Sequence, residues 1–217
     1  MAKNENTGWS NENTCYVAMS GYGKSQALKQ NPDIPPRGAR VFLWDTDNDH
    51  ATKATHYFSS WPEYTKAALA GMKSGEGFRL AWNGLVDVTI FEAWCQLVWE
   101  CLNGDRRTYI IIEELADISP GAGKATFWFG QINRKCRKYG GILHWTTQKS
   151  QEVSKTAYSQ AAVKYIGFPN EDAPPSTVAH LARIAGVESS ELLALNELEF
   201  YRRAKKETVK LALKYKA

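Results

Sequence analysis

Short apolar runs alternating with helix-length stretches leave this chain few folds to adopt. "CYVAM" (15–19), "RVFLWD" (40–45), "GFRLAWNG" (77–84), "TYIIIEE" (108–114), "GILHWTTQ" (141–148) and "VKYIGF" (163–168) each read as a strand bounded by turn residues. Runs this apolar need cover on both faces, so the pattern predicts an α/β fold with a mainly parallel central sheet flanked by helices. "SQALKQ" reads as a helix start. Ser60-Trp61-Pro62-Glu63 reads as a capping box opening a helix to about Met72, with Pro at its first position. "VTIFEAWCQLVWECL" (88–102) reads as a long, mostly buried helix, and another runs through "FWFGQINRKCRKY". "VKYIGF" is expected to be the last strand of the sheet. Two short helices (176–185 and about 189–195) and a terminal hairpin follow. In the hairpin Val209, Leu211, Leu213 and Tyr215 alternate with polar or small residues.

In parallel sheets, ligands sit beyond the carboxyl ends of the strands. The residues with the most chemistry fall at such ends. "AMSGYGKSQALK" (18–29) turns from a strand into a helix through Gly21-Tyr22-Gly23-Lys24-Ser25. A Gly-rich turn of this kind aims backbone N–H groups at an anion, and the helix dipole adds to the attraction. The nucleotide-binding candidates are Ser20, Gly21, Tyr22, Gly23, Lys24, Ser25 and Gln26. Lys24 is placed to reach the β- and γ-phosphates of ATP, and Ser25 to hold Mg²⁺. Ala18 stands where the pattern asks for a first glycine. It is the smallest replacement, at a position that need not touch phosphate.

"YIIIEEL" delivers Glu113 and Glu114 to the same sheet edge. Glu113 is assigned to the metal, assisting through water, and Glu114 to the attacking water. Gln148 ends the following strand, where a neutral amide can bond the γ-phosphate or its water. Arg134 and Arg137 are three apart on one helix face and are candidates for a cation presented to a neighbour's phosphates.

Other signals are weaker. "GAGKAT" (121–126) has Gly-Lys but carries Ala125 where the metal-binding hydroxyl belongs, and reads as a mobile loop. Asp45, Asp47 and Asp49 have calcium-loop spacing, but His50 replaces the required glycine. Asp45 is kept as a possible contact to a neighbouring subunit. His50, His56, His144 and His180 form no evident ligand set. Residues 177–197 have helix-turn-helix rhythm, but Glu188, Glu191 and Glu197 would repel phosphate, so packing helices are expected. The net charge is only +4, with basic clusters at 134–138 and 202–216. The four cysteines show no C-x-x-C pair, which points to a reducing compartment. No stretch is long and apolar enough to cross a membrane.

"INRKCRKYGGILHWTTQKS" resembles the FtsK–HerA superfamily of hexameric DNA pumps. Arg134, Arg137, Gly140, Thr147 and Gln148 match its Arg-x-x-Arg-x-x-Gly helix end and its Thr-Gln strand tip. "AMSGYGKS", "YIIIEEL" and the extra strand "FRLAW" also fit, with Ala18 and Glu113 as departures. The likeness covers roughly residues 14–168. Small size and a short helical tail make the chain most similar to the tectivirus-type genome-packaging ATPases.

The resemblance implies a RecA-like P-loop domain over 1–217, with its core at about 14–168 and an extension at 169–217. It implies ATP hydrolysis that drives double-stranded DNA into a preformed capsid. The partners implied are other copies in a homo-oligomeric, hexameric ring and capsid vertex proteins, and the setting is the virion and host cytoplasm. It also implies arginine fingers acting across subunits, with Arg137 favoured, and pore-facing Lys124 and Lys149 on DNA. A filamentous-phage-type assembly ATPase, a small-molecule kinase and a nucleotide-dependent scaffold at the vertex are the alternatives.

Overall fold

The computed structural model describes residues 2–216 except 34, 53, 120 and 122. Nine strands form one sheet in the order β3-β4-β2-β5-β6-β1-β7-β8-β9. They are β1 (Thr14–Val17), β2 (Arg40–Trp44), β3 (His56–Phe58), β4 (Phe78–Trp82), β5 (Thr108–Ile112), β6 (Gly141–Thr147), β7 (Val163–Ile166), β8 (Glu199–Ala204) and β9 (Glu207–Ala212). The first seven run parallel, and β8 and β9 close the edge antiparallel. The helices are α1 (Lys24–Gln30), α2 (Trp61–Ser74), α3 (Val88–Cys101), α4 (Phe127–Lys135), α5 (Lys155–Gln160), α6 (Pro175–Ala185) and α7 (Ser189–Leu193).

The continuous apolar runs occupy the middle of the sheet, as two-sided burial requires. Every residue of β1, β2 and β6 is buried. One face packs an aromatic-rich core in which Trp44, Trp82, Phe91 and Trp94 meet beneath α2 and α3. There the Trp94 indole donates to the Tyr64 hydroxyl at 2.7 Å, satisfying the polar atom that burial would otherwise strand. The other face is covered by α1 through Ala27 and Leu28. All four cysteines are buried free thiols.

The structure corrects several expectations. "VKYIGF" is not the last strand, because the hairpin β8–β9 adds to the same sheet beyond β7. Its period-2 pattern reports a half-covered edge, a pattern that does not specify which sheet the strand joins. β3 and α5 were not expected: three and six residues are too short to show a period. α2 starts as expected, but Ser60 makes no side-chain capping bond. Asp45 is fully buried, so it does not face a neighbouring subunit. The helices of 175–193 pack Leu181, Ala182, Ala185 and Leu192 into the main core, as expected of packing elements.

Chain order reverses around β1. From β1 the chain crosses to β2, three places away, and later returns past β6 to β7. The carboxyl ends of β1, β5 and β6 therefore open onto one crevice, where such sheets bind ligands.

Candidate active site

The turn from β1 into α1 is built by glycines that need unusual backbone. Gly21 and Gly23 have φ of 79° and 92°, and Gly23 caps α1 in the left-handed region. A Cβ on Gly23 would also meet Leu198 Cδ2 at 2.5 Å. Leu198 belongs to the extension, and its N–H donates to the Tyr22 carbonyl at 3.3 Å. The segment leading into β8 is thus wedged against the loop.

Ala18 explains its own departure from the pattern. It is buried, and it is not among the residues with positive φ. The close approach that a glycine permits is supplied from the other side, since a Cβ on Gly167 would lie 2.8 Å from that of Ala18.

The loop, the tips of β5 and β6 and the β2–β3 connection enclose a groove of about 390 Å³. Six of the seven nucleotide-binding candidates line it: Ser20, Gly21, Gly23, Lys24, Ser25 and Gln26. Tyr22 does not; its ring stacks on Phe168 at 5.0 Å and only its backbone belongs to the loop. Lys24 Nζ lies 3.5 Å from the Met19 carbonyl. Burial lowers the Lys24 pKa, while Glu114, Glu113 and Asp49 pull the other way. An ammonium so placed gains by meeting an anion.

Glu113 and Glu114 reach the groove from one strand tip, and their settings differ. Glu113 is buried, with Oε1 at 2.5 Å from His50 Nε2 and Oε2 accepting from the Thr146 hydroxyl at 2.5 Å. Both of its oxygens are engaged within the protein. Glu114 sits in left-handed backbone, φ 44°. Its Oε1 accepts from the Thr147 hydroxyl and the Gln148 N–H, each at 2.9 Å. Its own N–H donates to Thr146 Oγ1 at 3.0 Å. The strained turn and two donors at the tip of β6, the Thr147 hydroxyl and the Gln148 N–H, hold this carboxylate at the rim of the groove. Gln148 lines the groove too, and no partner holds its side-chain amide among the described residues.

Ser25 Oγ donates to Asp49 Oδ2 at 2.9 Å. Asp49 is held in turn by Asp45, which accepts from the N–H groups of Asp49 and His50 at 2.9 Å each, and from the Tyr57 hydroxyl. The "WDTDNDH" run therefore builds one wall of the groove without being a calcium loop. Among the described residues no group of three or more metal-ligating side chains stands together. A hydroxyl beside one carboxylate still suits a magnesium ion whose remaining ligands are phosphate and water.

The remaining candidates lie elsewhere. Arg134 and Arg137 precede β6 and so sit at the amino ends of the strands, while the groove is at the carboxyl ends. The seven residues of β6 span roughly 23 Å, beyond the reach of an arginine side chain. Arg137 is half-buried and donates to the Trp9 carbonyl at 2.6 Å. Arg134 is exposed and lies along its helix over Gly130, whose Cβ would be 3.1 Å from its Nη1. Lys124 is exposed. Residues 120 and 122 of its "GAGKAT" loop lie outside the described residues. Lys149 pairs with Asp117 at 3.2 Å, and that bond raises its pKa.

Sequence reasoning did not single out His50, Asp49, Thr146 or Tyr215, all of which touch the groove or its carboxylates. His50 and Asp49 were legible only as parts of a rejected motif. Tyr215 was legible only as a hairpin residue.

No protein-family model matches the sequence. Among solved structures, the chain resembles the genome packaging NTPase B204 from Sulfolobus turreted icosahedral virus 2 in complex with AMPPCP. The TM-score is 0.73 at 15% identity, covering 95% of this chain and 99% of that one. VirB4 of Thermoanaerobacter pseudethanolicus gives a TM-score of 0.62 at 11% identity, covering 95% of this chain and 90% of that one. At these identities the likeness shows the fold, which is the RecA-like P-loop ATPase fold. Among curated proteins, Protein P9 of Pseudoalteromonas phage PM2 is 36% identical over 155 residues, which are 71% of this chain and 67% of that protein. The chain therefore belongs to the family of Protein P9 of phage PM2, on a RecA-like P-loop ATPase fold.

Proposed function

We propose that this chain is an ATP-hydrolysing motor that moves double-stranded viral DNA into a preformed capsid. The observation that carries the reading is Glu114, held by Thr147 and Gln148 at the rim of a groove whose other wall is the Gly21–Ser25 loop. The fold likeness to a viral genome packaging NTPase and kinship with a phage protein support the choice of task.

In this reading the N–H groups of Gly21–Ser25 bind the phosphates and Lys24 neutralises the β- and γ-oxygens. Ser25 and Asp49 are the residues that fit Mg²⁺, which when bound supplies charge compensation on those oxygens. Glu113 acts one step removed, through water, which suits its engagement by His50 and Thr146. Glu114 takes the proton of the attacking water, and the unheld Gln148 amide orients that water against the γ-phosphate.

A finger must come from a neighbouring copy, since neither arginine reaches its own groove. Arg134 is the better candidate, because Arg137 is committed to Trp9. That geometry supports a homo-oligomeric ring, hexameric in this reading, docked on capsid vertex proteins in the virion and host cytoplasm. Residues 1–217 form one ATPase domain in which the extension 169–217 braces the phosphate loop. Lys124 and Lys149 contact DNA phosphates without reading sequence.

The test is ATP turnover by the assembled protein with and without double-stranded DNA. Stimulation that fades as salt rises is expected. Turnover that ignores DNA at every salt concentration would remove the motor reading, even with the nucleotide site intact.

A further inference from the structure

Residues 213–216 leave β9 and run along α1 from its end toward its start, fastened by side chains of that helix. The Gln26 carboxamide pairs with Lys216 in both directions: Nε2 donates to the carbonyl at 2.9 Å, and Oε1 accepts from the N–H at 3.1 Å. Gln30 Nε2 donates to the Lys214 carbonyl at 2.7 Å and to Gln26 Oε1 at 2.9 Å. Leu213 N–H donates to the carbonyl of Leu198, the residue wedged over Gly23, at 2.9 Å. The segment is anchored on both sides of Tyr215.

Tyr215 lines the groove, yet 75% of it is exposed. It is the one aromatic side chain lining the groove among the described residues. The groove also has a direction. Lys24, Glu114 and Gln148 mark where the terminal phosphate belongs, because the lysine of such a loop reaches the β- and γ-phosphates. The rest of a nucleotide must lead away from the strand tips, along the wall made by Gln26, Lys29 and Tyr215. An exposed phenol ring on that wall offers a flat apolar face where a base would arrive, and covering it is favourable.

Building on the nucleotide-binding reading above, we propose that Tyr215 is the base-stacking surface of the site, and that residues 213–216 form a base-side clamp fastened by Gln26 and Gln30. The substrate class is then nucleoside triphosphates held by the face of the base. The backbone groups that flank Tyr215 are already taken by glutamines, so they do not read the edge of the base. Stacking tolerates any base because each has a π-face.

Calorimetry on the full chain with Mg²⁺ and three probes tests this: ATP, GTP and inorganic tripolyphosphate. The wild type is expected to bind ATP and GTP within about tenfold of each other. Tyr215→Ala is expected to weaken both nucleotides roughly tenfold and leave tripolyphosphate unchanged, while Tyr215→Trp restores both. The exposure of Tyr215 leaves the fold of these variants intact. Unchanged nucleotide affinity in Tyr215→Ala, or an equal loss for tripolyphosphate, overturns the stacking role. ATP bound more than about a hundredfold over GTP overturns recognition by face, because a ratio that large comes from hydrogen bonds to the base edge. Failure of the wild type to bind any of the three probes overturns the site itself.

Discussion

His50 Nε2 stands 2.5 Å from Glu113 Oε1, and both side chains are buried. The pair ties the β2–β3 connection to the tip of β5, behind the carboxylate that lines the groove. His50→Ala leaves Glu113 Oε1 buried without its partner, a loss of about 1–3 kcal/mol. A lower urea midpoint and a fall in turnover are expected together. Unchanged stability would mean that the pair contributes nothing to the wall.

The two arginines separate by readout. Arg137→Ala removes a half-buried, charge-assisted bond to Trp9 and is expected to cost about 1.5–3 kcal/mol of stability. Arg134→Ala leaves stability within about 0.5 kcal/mol, yet lowers turnover of the oligomer by about 10³ or more, as loss of a finger does. Mixing Lys24→Ala with Arg134→Ala subunits is expected to restore part of the activity, since some interfaces then combine an intact groove with an intact finger. If Arg134→Ala turns over normally, the finger assignment is wrong.

Gly23 is constrained twice, by its φ of 92° and by Leu198. Gly23→Ala is expected to weaken ATP binding more than tenfold, since about 1–2 kcal/mol of backbone strain adds to the displaced leucine. Adding Leu198→Ala relieves the contact but not the backbone, so recovery should be partial. Full recovery, read by calorimetry, would place the whole effect in the contact.

Acid sensitivity has a buried source. His144 lies in β6 with Nδ1 at 3.0 Å from the Tyr16 hydroxyl, and burial pushes its pKa down from 6.5 to about 4. Asn31 donates to that hydroxyl at 2.6 Å, so the hydroxyl proton faces Nδ1 and the ring stays neutral. Between pH 6.5 and 4 the unfolded chain binds a proton that the folded chain refuses. This contribution to stability is complete above pH 6.5 and is lost as pH falls, by up to about 3 kcal/mol. Urea midpoints from pH 7 to 4 should fall more steeply for the wild type than for His144→Asn. Equal slopes would remove His144 as the cause.

The inner strands and the phosphate loop were legible because their determinants are local: two-sided apolar runs, and glycines at a strand-to-helix turn. The carboxylates of "YIIIEEL" were legible as a strand tip, but their different settings were not. Those depend on Thr146, Thr147 and His50, and pairing across the sheet brings them to Glu113 and Glu114. The edge position of β8–β9 and the placement of Tyr215 are also long-range outcomes. A period-2 pattern shows that a strand is half-covered and says nothing of which strand it joins. Sequence favoured Arg137 over Arg134 for its nearness to β6, because Trp9, whose carbonyl engages Arg137, is far away along the chain.

The most direct test of the account is a paired measurement on Lys24→Ala and Glu114→Gln, with nucleotide binding and ATP turnover read on the same samples. Lys24→Ala is expected to lose binding and turnover together, and Glu114→Gln to bind ATP at near wild-type affinity while turnover falls by about 10² or more. Glu114→Gln turning over at the wild-type rate, or Lys24→Ala binding ATP unchanged, would contradict it.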